Sequence, residues 1–290
     1  MLVRPLVALA TCSVLPELDE DGPALLAALD RAGLRARPAV WEDPDEDWSA
    51  YDLVVLRTVW DYFPRLPEFL DWVSSVPRLA NPAPVVRWNT DKRYLRELAA
   101  AGLPVVQTTW LEPGDGFVPP AGEYVVKPVV SAGSRDTARY RPGEDEAAGT
   151  HVAALLGTGR PVMVQPYLAG VDAAGETALV SFEGRHSHGA RKAALLRPGG
   201  GVDNDIDSRA FVTPAVASDE QLQVASDVLA AVPWGEPLLY ARVDLVPGPD
   251  GSPVLLELEV TEPSLFLRHA EGAGDRFAAA VTRAVRRVTR

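Results

Sequence analysis

The segment Leu238–Val260 constrains the fold of this chain more than any other, because it places acidic side chains inside an apolar stretch. It reads as two apolar strands joined by a turn rich in proline, glycine and aspartate, which predicts a β-hairpin. Alternate side chains of a strand share a face, so Glu257 and Glu259 point the same way and Asp244 can face them across the hairpin. The pattern therefore predicts three carboxylates close together on a largely buried sheet.

Such a cluster of acids needs a compensating charge. Like charges about 4 Å apart repel by roughly 4 kcal/mol at an effective dielectric constant of about 20. The acids must therefore be protonated, paired with cations or bound to a metal. Carboxylate oxygens suit Mg²⁺, which shares its remaining coordination positions with water and substrate phosphates. The alternative is that one or two of the acids form ordinary salt bridges with Arg242 or Arg268.

The composition limits which binding partners and which cellular compartment are expected. A formal net charge of −12 argues against a nucleic-acid or anionic-membrane partner, since both are bound through clustered lysine and arginine. The single cysteine, Cys12, forbids an internal disulfide bond and fits a reducing cytosol, so we expect a cytoplasmic protein. The apolar run Leu6–Ala10 is too short for an export signal, and no stretch approaches the roughly 18 apolar residues of a membrane span.

The N-terminal third alternates strand and helix, which indicates a small βαβ unit of the α/β class. We predict strands at Leu6–Thr11 and Asp52–Leu56, with helices around Pro23–Ala32 and Leu66–Ser75. Ligands collect at the carboxyl ends of strands in such sheets. Alternatively, the aromatic residues after the second strand pack or form a hinge, and its arginine and aspartate pair with each other. The candidate substrate residues there are Arg57, Thr58, Trp60, Asp61 and Tyr62.

Two lysines mark a possible phosphate site. After a proline-rich boundary at Asn81–Pro84, a helix is predicted with Asn89 or Thr90 capping its first turn. Lys92 lies in that turn, where a bound phosphate would reverse the unfavourable interaction with the helix dipole; taken alone, it fits a solvated surface lysine better. Lys127 continues the strand Tyr124–Val126 at a buried-looking position, so it needs an anionic partner or a lowered pKa.

Three further segments carry candidate binding residues. In the loop Ser131–Thr137, Gly133 allows close backbone approach and N–H groups can hold phosphate oxygens, although an ordinary hairpin loop fits equally well. The strand Val162–Gln165 runs into a proline-containing hinge that suits a flat ring. The next predicted hairpin ends at Arg191 and Lys192, and because strand neighbours point to opposite faces, one of them is expected to reach a transferred group.

The motifs, in order, resemble the ATP-grasp superfamily of ATP-dependent carboxylate–amine ligases. They are DK, VVKP, a glycine-containing loop, VQPYL, GE, RK, RVDL and LELE, from roughly Asn89 to Pro263. Together with LRTVWDY, WNTDKRYL and TEPSLFL, they look closest to a bacterial subgroup that includes the cycloserine-forming synthetase. The resemblance implies an N-terminal α/β domain (residues 1–86) and an ATP-grasp fold of α+β character (87–290). The latter would contain a lid at about 103–168 and a catalytic subdomain at about 169–290.

The resemblance also implies residue roles. ATP phosphates would be contacted by Lys92 and Lys127, beside Ser131, Gly133 and Ser134 in the loop. The adenine hinge would be Gln165, Pro166, Tyr167 and Leu168, with Asp172 or Glu176 near the ribose. The acyl-phosphate would be stabilised by Arg191, with Lys192 and Arg242 nearby, and two Mg²⁺ ions would be held by Asp244, Glu257 and Glu259. Many family members carry asparagine where Glu259 stands, so this metal site bears extra charge. His188 is expected near the substrate or in the packing, because no third histidine or cysteine completes a zinc set.

The implied reaction is phosphoryl transfer followed by acyl transfer. A substrate carboxylate attacks the γ-phosphate of ATP, and the acyl-phosphate then meets an amine-type nucleophile. We expect an amino-acid-like substrate, either two molecules joined or one molecule closed into a ring, and a possible homodimer. The alternatives are a small-molecule kinase that stops after phosphoryl transfer and a non-catalytic nucleotide-binding module.

Overall fold

The computed structural model describes residues 4–205 and 211–288, and its N-terminal unit contains a parallel sheet. The sheet has the strand order β2-β1-β3, so the predicted βαβ unit is present with one additional strand. β2 escaped prediction because arginines alternate along it and Pro38 interrupts it, and such a proline is tolerated at a sheet edge. The elements are β1 (Leu6–Thr11), α1 (Gly22–Arg31), β2 (Arg35–Val40), β3 (Leu53–Thr58) and α2 (Leu66–Ser75).

The helix predicted after the proline-rich boundary is present but begins later than predicted, at Tyr94, and a further helix precedes it. The two helices are α3 (Ala83–Asn89) and α4 (Tyr94–Ala100). Helix α3 was missed because prolines fit the first turn of a helix, so the boundary segment begins α3. Asn89 ends α3 rather than capping the next helix, and Lys92 lies in the turn between them.

A second sheet forms a unit with its own core, which we call the lid sheet. It is antiparallel, with the order β4-β7-β5-β6. Apolar side chains of the sheet, including Val126 and Val164, pack against one helix, α5, which contributes Val152. The elements are β4 (Thr109–Leu111), β5 (Tyr124–Pro128), β6 (Ala138–Tyr140), α5 (Asp145–Gly157) and β7 (Val162–Pro166).

The third sheet contains the acidic hairpin. It is antiparallel in the order β10-β9-β8-β11-β12, and β11 and β12 are the strands predicted within Leu238–Val260. The elements are α6 (Gly170–Ala174), β8 (Glu176–Phe182), β9 (Arg185–Lys192), β10 (Val212–Ala215), α7 (Asp219–Ala230), β11 (Tyr240–Pro247), β12 (Pro253–Glu259) and α8 (Ala273–Val288).

The N-terminal sheet and the C-terminal helix share one hydrophobic core. Leu9 of β1 and Val55 of β3 belong to the same buried cluster as Phe277 and Val281 of α8 and Tyr240 of β11. The predicted unit 1–86 therefore packs directly on the third sheet, at the side that carries the acids. None of the helices in the described ranges combines the length and the apolar character that a bilayer span requires.

Candidate active site

One cavity of about 670 Å³ lies where the three sheets meet. One end is lined by the predicted hinge residues of β7 and by Lys127 of β5, and we call it the nucleotide end. The opposite end lies against the N-terminal unit and the loop that follows β12, and we call it the substrate end. Its lining includes Leu15, Trp60, Asp61, Tyr62, Glu262 and Phe266.

The free edge of β12 is held by side chains of α3 and α4, which fixes the acids that β12 carries. Asn89 donates to the Leu258 carbonyl at 2.8 Å and accepts from the Val260 N–H at 2.9 Å. The Tyr94 hydroxyl exchanges hydrogen bonds of 2.8 Å with both backbone groups of Leu258. An edge strand otherwise leaves such groups unpaired. The WNTDKRYL motif therefore positions β12 in addition to supplying Lys92.

The hairpin register brings the predicted acids together. Asp244 lies directly opposite Glu257, and Arg242 lies opposite Glu259. Arg242 binds Asp244 through two nitrogens, at 2.8 and 2.9 Å, and also contacts Glu259. Lys192 lies 2.7 Å from Asp244 Oδ2. The alternative of a salt bridge with Arg242 is thus the one observed, whereas Arg268 pairs with Glu20 instead.

These contacts set the pKa values of the cluster. Burial would raise the pKa of Asp244, but the charges of Arg242 and Lys192 outweigh it and lower the pKa to about 2. Burial, together with the charges of Glu257 and Asp244, raises the pKa of Glu259 to about 7, despite Arg242. The pKa of Glu257 is lowered, because Lys92 and Lys127 overcome its burial. The cations therefore keep Asp244 and Glu257 ionised, while the Glu259 carboxyl has a pKa near neutral pH.

The carboxylates have the donor chemistry for Mg²⁺, but they are not gathered into a complete ligand set. Among the residues that the structure describes, no three acidic, histidine or cysteine side chains are grouped so as to hold a metal ion. Asp244 gives both oxygens to Arg242 and Lys192, and its side chain is 1% exposed. Glu257 and Glu259 line the cavity and each keep 25% of the side chain exposed. The site therefore fits Mg²⁺ through these two glutamates.

The nucleotide end gathers the predicted ATP-contacting residues. Lys92 donates to the Ser131 carbonyl at 2.8 Å and lies 3.2 Å from Glu257 Oε1. Burial lowers the pKa of Lys127, and no carboxylate in the described ranges forms an ion pair with it. A bound anion would provide the missing partner. The other predicted residues that line this end are Ser131, Gly133, Ser134, Gln165, Pro166, Tyr167, Leu168 and Glu176.

Six predicted site residues lie outside the cavity lining: Arg57, Thr58, Asp172, His188, Arg191 and Asp244. Arg191 is exposed, because it alternates with Lys192 along β9; it is Lys192 that faces Asp244 and Glu176. Asp172 binds Arg139 through both oxygens, at 2.9 and 3.1 Å, and accepts a hydrogen bond from the Tyr167 hydroxyl. The structure therefore positions Lys192 rather than Arg191 for contact with a transferred group. It also gives Asp172 a role in holding the hinge tyrosine.

Three of the candidate substrate residues bind the loop after β12, and of these Trp60 also lines the cavity. Arg57 donates to the Pro263 carbonyl at 2.9 Å, Trp60 to Glu262 O at 2.9 Å, and His188 to Leu265 O at 2.8 Å. Arg57 and His188 are absent from the cavity lining, and Thr58 is buried against Thr11. Tyr240 and Arg242 donate to the carbonyls of Thr261 and Ser264. Each of the five consecutive carbonyls 261–265 thus accepts a side-chain hydrogen bond.

Glu262 is the site residue that sequence reasoning missed. It lines the substrate end, is 9% exposed, and hydrogen-bonds with Tyr62. Burial, followed by the charge of Glu259, raises its pKa to about 8. An acid immediately after a buried strand and before a proline was the available signal. Asp61, in contrast, is held by Trp41 and Arg65 at 2.8 and 2.9 Å.

Comparison with known proteins adds sequence and fold relatives. A family model described as the N-terminal domain of D-cycloserine synthetase DcsG matches residues 7–81. Cycloserine biosynthesis protein DcsG of Streptomyces lavendulae is 42% identical over 293 aligned positions, covering 95% of this chain and 97% of the relative. The crystal structure of D-cycloserine synthetase DcsG superposes with a TM-score of 0.90 at 41% identity, covering 98% of this chain and 99% of that one. D-alanine–D-alanine ligase from Bacillus anthracis shares the fold, with a TM-score of 0.69 at 17% identity and 98% coverage of both chains.

Proposed function

Because this chain belongs to the D-cycloserine synthetase family of ATP-grasp ligases, we propose that it closes a small amino-acid derivative into a ring. The chain is an ATP-dependent enzyme that forms carbon–nitrogen bonds and uses ATP and Mg²⁺. In the proposed version, one molecule supplies both the carboxylate and the attacking nitrogen. The observation that carries the proposal is one cavity that joins the nucleotide end to the substrate end across a cluster of cations and acids.

The first step makes an acyl-phosphate. A carboxylate oxygen of the substrate attacks the γ-phosphorus of ATP, and ADP leaves. In our proposal, Lys92 and Lys127 bind the phosphates, while Lys192 and Arg242 stabilise the transferred group through preorganised charge. Glu257 and Glu259 would hold Mg²⁺, which, when bound, neutralises charge on the phosphate oxygens. Binding of a second Mg²⁺ by Asp244 requires that Lys192 leave Asp244 and bind phosphate instead.

The second step forms the ring. The nitrogen attacks the acyl carbon, phosphate leaves with the former carboxylate oxygen, and the nitrogen loses a proton. Water must be kept out, because it would hydrolyse the acyl-phosphate. We propose that the lid sheet, with the loop Ser131–Thr137, closes over the reactants. The burial of Tyr62 and Glu262 supports a dry substrate end.

The test is a screen for substrate-dependent release of ADP. The panel contains amino acids and their β-ureidooxy and β-aminooxy derivatives, with mass spectrometry of the products. We expect ADP, phosphate and a ring product from a compound that carries both reacting groups. A stable phosphorylated product would identify a kinase instead, and ATP binding without any turnover across the panel would favour a binding module.

A further inference from the structure

The substrate end of the cavity contains a buried carboxylate, Glu262, on which the charge of Lys92 acts only at a distance greater than that of an ion pair. Within the described ranges, Glu262 forms no ion pair, although it is only 9% exposed. The other acids at this end are compensated, since Asp61 pairs with Arg65 and Glu259 with Arg242. A buried carboxylate that forms no ion pair is strongly disfavoured in its ionised form. The charge of Glu262 is therefore compensated only when a proton or a cationic ligand group is bound.

The position of this carboxylate is fixed by the surrounding structure. Trp60 and Arg57 bind the carbonyls of Glu262 itself and of Pro263, and Tyr240 binds the carbonyl of Thr261, each at 2.9 Å. The Tyr62 hydroxyl donates to the carboxylate from the opposite wall. These contacts fix the backbone that carries Glu262 and so present its side chain to the cavity.

The chemistry of the pocket selects a nitrogen cation as the ligand group. Tyr62 supplies one hydrogen bond, so a carboxylate with about four acceptor positions keeps most of its capacity for a donor in the cavity. An ammonium offers three N–H donors together with the compensating charge, and such charge-assisted bonds are the strong ones. The pKa of about 8 for Glu262 accords with a carboxylate that lacks its cation.

We propose that Glu262 is the receptor for a free ammonium group of the substrate, and that Tyr62 is its positioning residue. The inference rests on the proposed ring-closing function and specifies its substrate further. An ammonium held by a carboxylate has no lone pair and cannot attack the acyl carbon. Glu262 is thereby assigned to the amino group that an amino-acid derivative retains in its ring product, and not to the nitrogen that attacks.

The experiment compares two probes that differ only in the ammonium group, D-β-aminooxyalanine and 3-aminooxypropanoate. The variant is Glu262→Gln, whose amide oxygen can still accept the Tyr62 hydrogen bond while the charge is removed. For D-β-aminooxyalanine we expect KM to rise by roughly 100-fold, as for other buried charge pairs that lose one partner. We expect kcat to stay within about threefold, and the KM for ATP and the kinetics of 3-aminooxypropanoate to be unchanged.

Two further variants complete the test. Glu271→Gln, at an exposed glutamate, is the matched control and should behave as the wild type. Tyr62→Phe removes only the positioning hydroxyl, so it should raise the KM for D-β-aminooxyalanine by roughly tenfold, the effect of one lost hydrogen bond, without affecting 3-aminooxypropanoate.

If both probes lose activity equally in Glu262→Gln, the role of Glu262 is structural. If kcat falls while KM holds, Glu262 takes part in proton transfer. Either result overturns the proposal, as does an unchanged variant.

Calorimetry separates this inference from the proposed function. Binding of the two probes is measured with a non-hydrolysable ATP analogue present, so that no turnover is needed. Selective binding of D-β-aminooxyalanine that disappears in Glu262→Gln supports the ammonium contact even if no ring product forms. Equal binding of the two probes to the wild type rules the contact out even if ring closure occurs.

Discussion

At the scale of single residues, the cations and acids of the site hold one another until ligands replace them. Lys92 binds Glu257 at 3.2 Å, and Lys192 bridges Glu176 and Asp244 at 2.6 and 2.7 Å. ATP phosphates and Mg²⁺ have the charges to take over as partners of the lysines and the glutamates, respectively. Burial alone would lower the pKa of Lys192, but Asp244 and Glu176 raise it, so the lysine is charged near neutral pH.

Lys192 and its neighbour Arg191 should differ sharply when replaced. Lys192→Met removes the cation that faces the cavity, and we expect kcat to fall by roughly 100- to 1,000-fold, as for other lost transition-state contacts. Arg191→Met removes an exposed cation of the same strand and should change kcat by less than about fivefold. Initial rates of ADP formation measure both. Comparable losses in the two variants would contradict the placement of Lys192 as the contacting residue.

His188 should make stability depend on pH. Burial lowers its pKa to about 4, against 6.5 for an exposed imidazole, so the folded protein holds it neutral and the unfolded chain takes up the proton first. The contribution of His188 to the free energy of unfolding is therefore fully present above about pH 7, and it is lost as the pH falls from 6.5 toward 4. The total loss from this group is about 3 kcal/mol, since one pKa unit corresponds to about 1.4 kcal/mol.

Denaturant unfolding of His188→Gln isolates this contribution. The glutamine amide can still donate to the Leu265 carbonyl, but it does not titrate between pH 4 and 6.5. We expect the wild type to lose more unfolding free energy than the variant across that window. Parallel pH profiles of the two proteins would show that His188 is not held neutral by the fold.

At the scale of elements, the loop 261–265 is the part of the site with the densest support. Its five carbonyls accept from side chains of β3, β9 and β11 and from Trp60, which follows β3. These donors come from three separate parts of the chain, and they make the loop a rigid wall of the substrate end. The N-terminal unit thereby shapes the cavity through the backbone of the loop as well as through its own side chains.

Tyr240→Phe tests this support. The hydroxyl lies 2.9 Å from the buried carbonyls of Leu56 and of Thr261 and shares its one proton between them, so its loss should cost about 1–3 kcal/mol of unfolding free energy. The same change should raise the KM for the ring-forming substrate while leaving the KM for ATP unaltered. Tyr51→Phe, which loses only its hydroxyl bond to Glu46, is the matched control. An unaltered substrate KM in Tyr240→Phe would count against a supporting role.

The sequence predicted the elements that carry a regular pattern and missed those that tertiary contacts define. The β11–β12 hairpin and the helix Leu66–Ser75 follow from apolar periodicity, and the ordered motifs gave the ATP-grasp fold and its cycloserine synthetase-like subgroup, which the comparisons confirm. Edge strand β2 and helix α3 were missed because proline interrupts their pattern. The boundaries predicted for the domains stay predictions.

The predictions for the site were likewise correct where a regular pattern carries them and incomplete where tertiary contacts decide. Alternation along β12 correctly pairs Glu257 with Glu259 on one face, and alternation along β9 correctly allows only one cation to reach the site. Which of the two cations it is depends on the register between β8 and β9, which the sequence does not reveal. The importance of Glu262 depends on burial by the N-terminal unit, a contact across about two hundred residues of sequence.

At the scale of the whole molecule, the N-terminal sheet and the last helix should unfold together, because they share a core. Phe277 of α8 is fully buried against Tyr240 and the N-terminal strands. Phe277→Ala should cost about 3–5 kcal/mol. Tryptophan fluorescence, to which the N-terminal unit contributes four of the seven tryptophans, and far-ultraviolet circular dichroism should still report one common midpoint. Separate midpoints would show that the unit 1–86 folds independently. The homodimer and the cytoplasmic location stay predictions.

The central claim is that the carboxylate is activated by phosphate before the ring closes. The most direct measurement uses D-β-aminooxyalanine with both carboxylate oxygens replaced by oxygen-18, and mass spectrometry of the inorganic phosphate released. An acyl-phosphate route transfers one labelled oxygen to each phosphate, because the bond that breaks in the second step joins that oxygen to carbon. Phosphate with one oxygen-18 atom is the predicted result. Unlabelled phosphate released together with ring product would contradict the account.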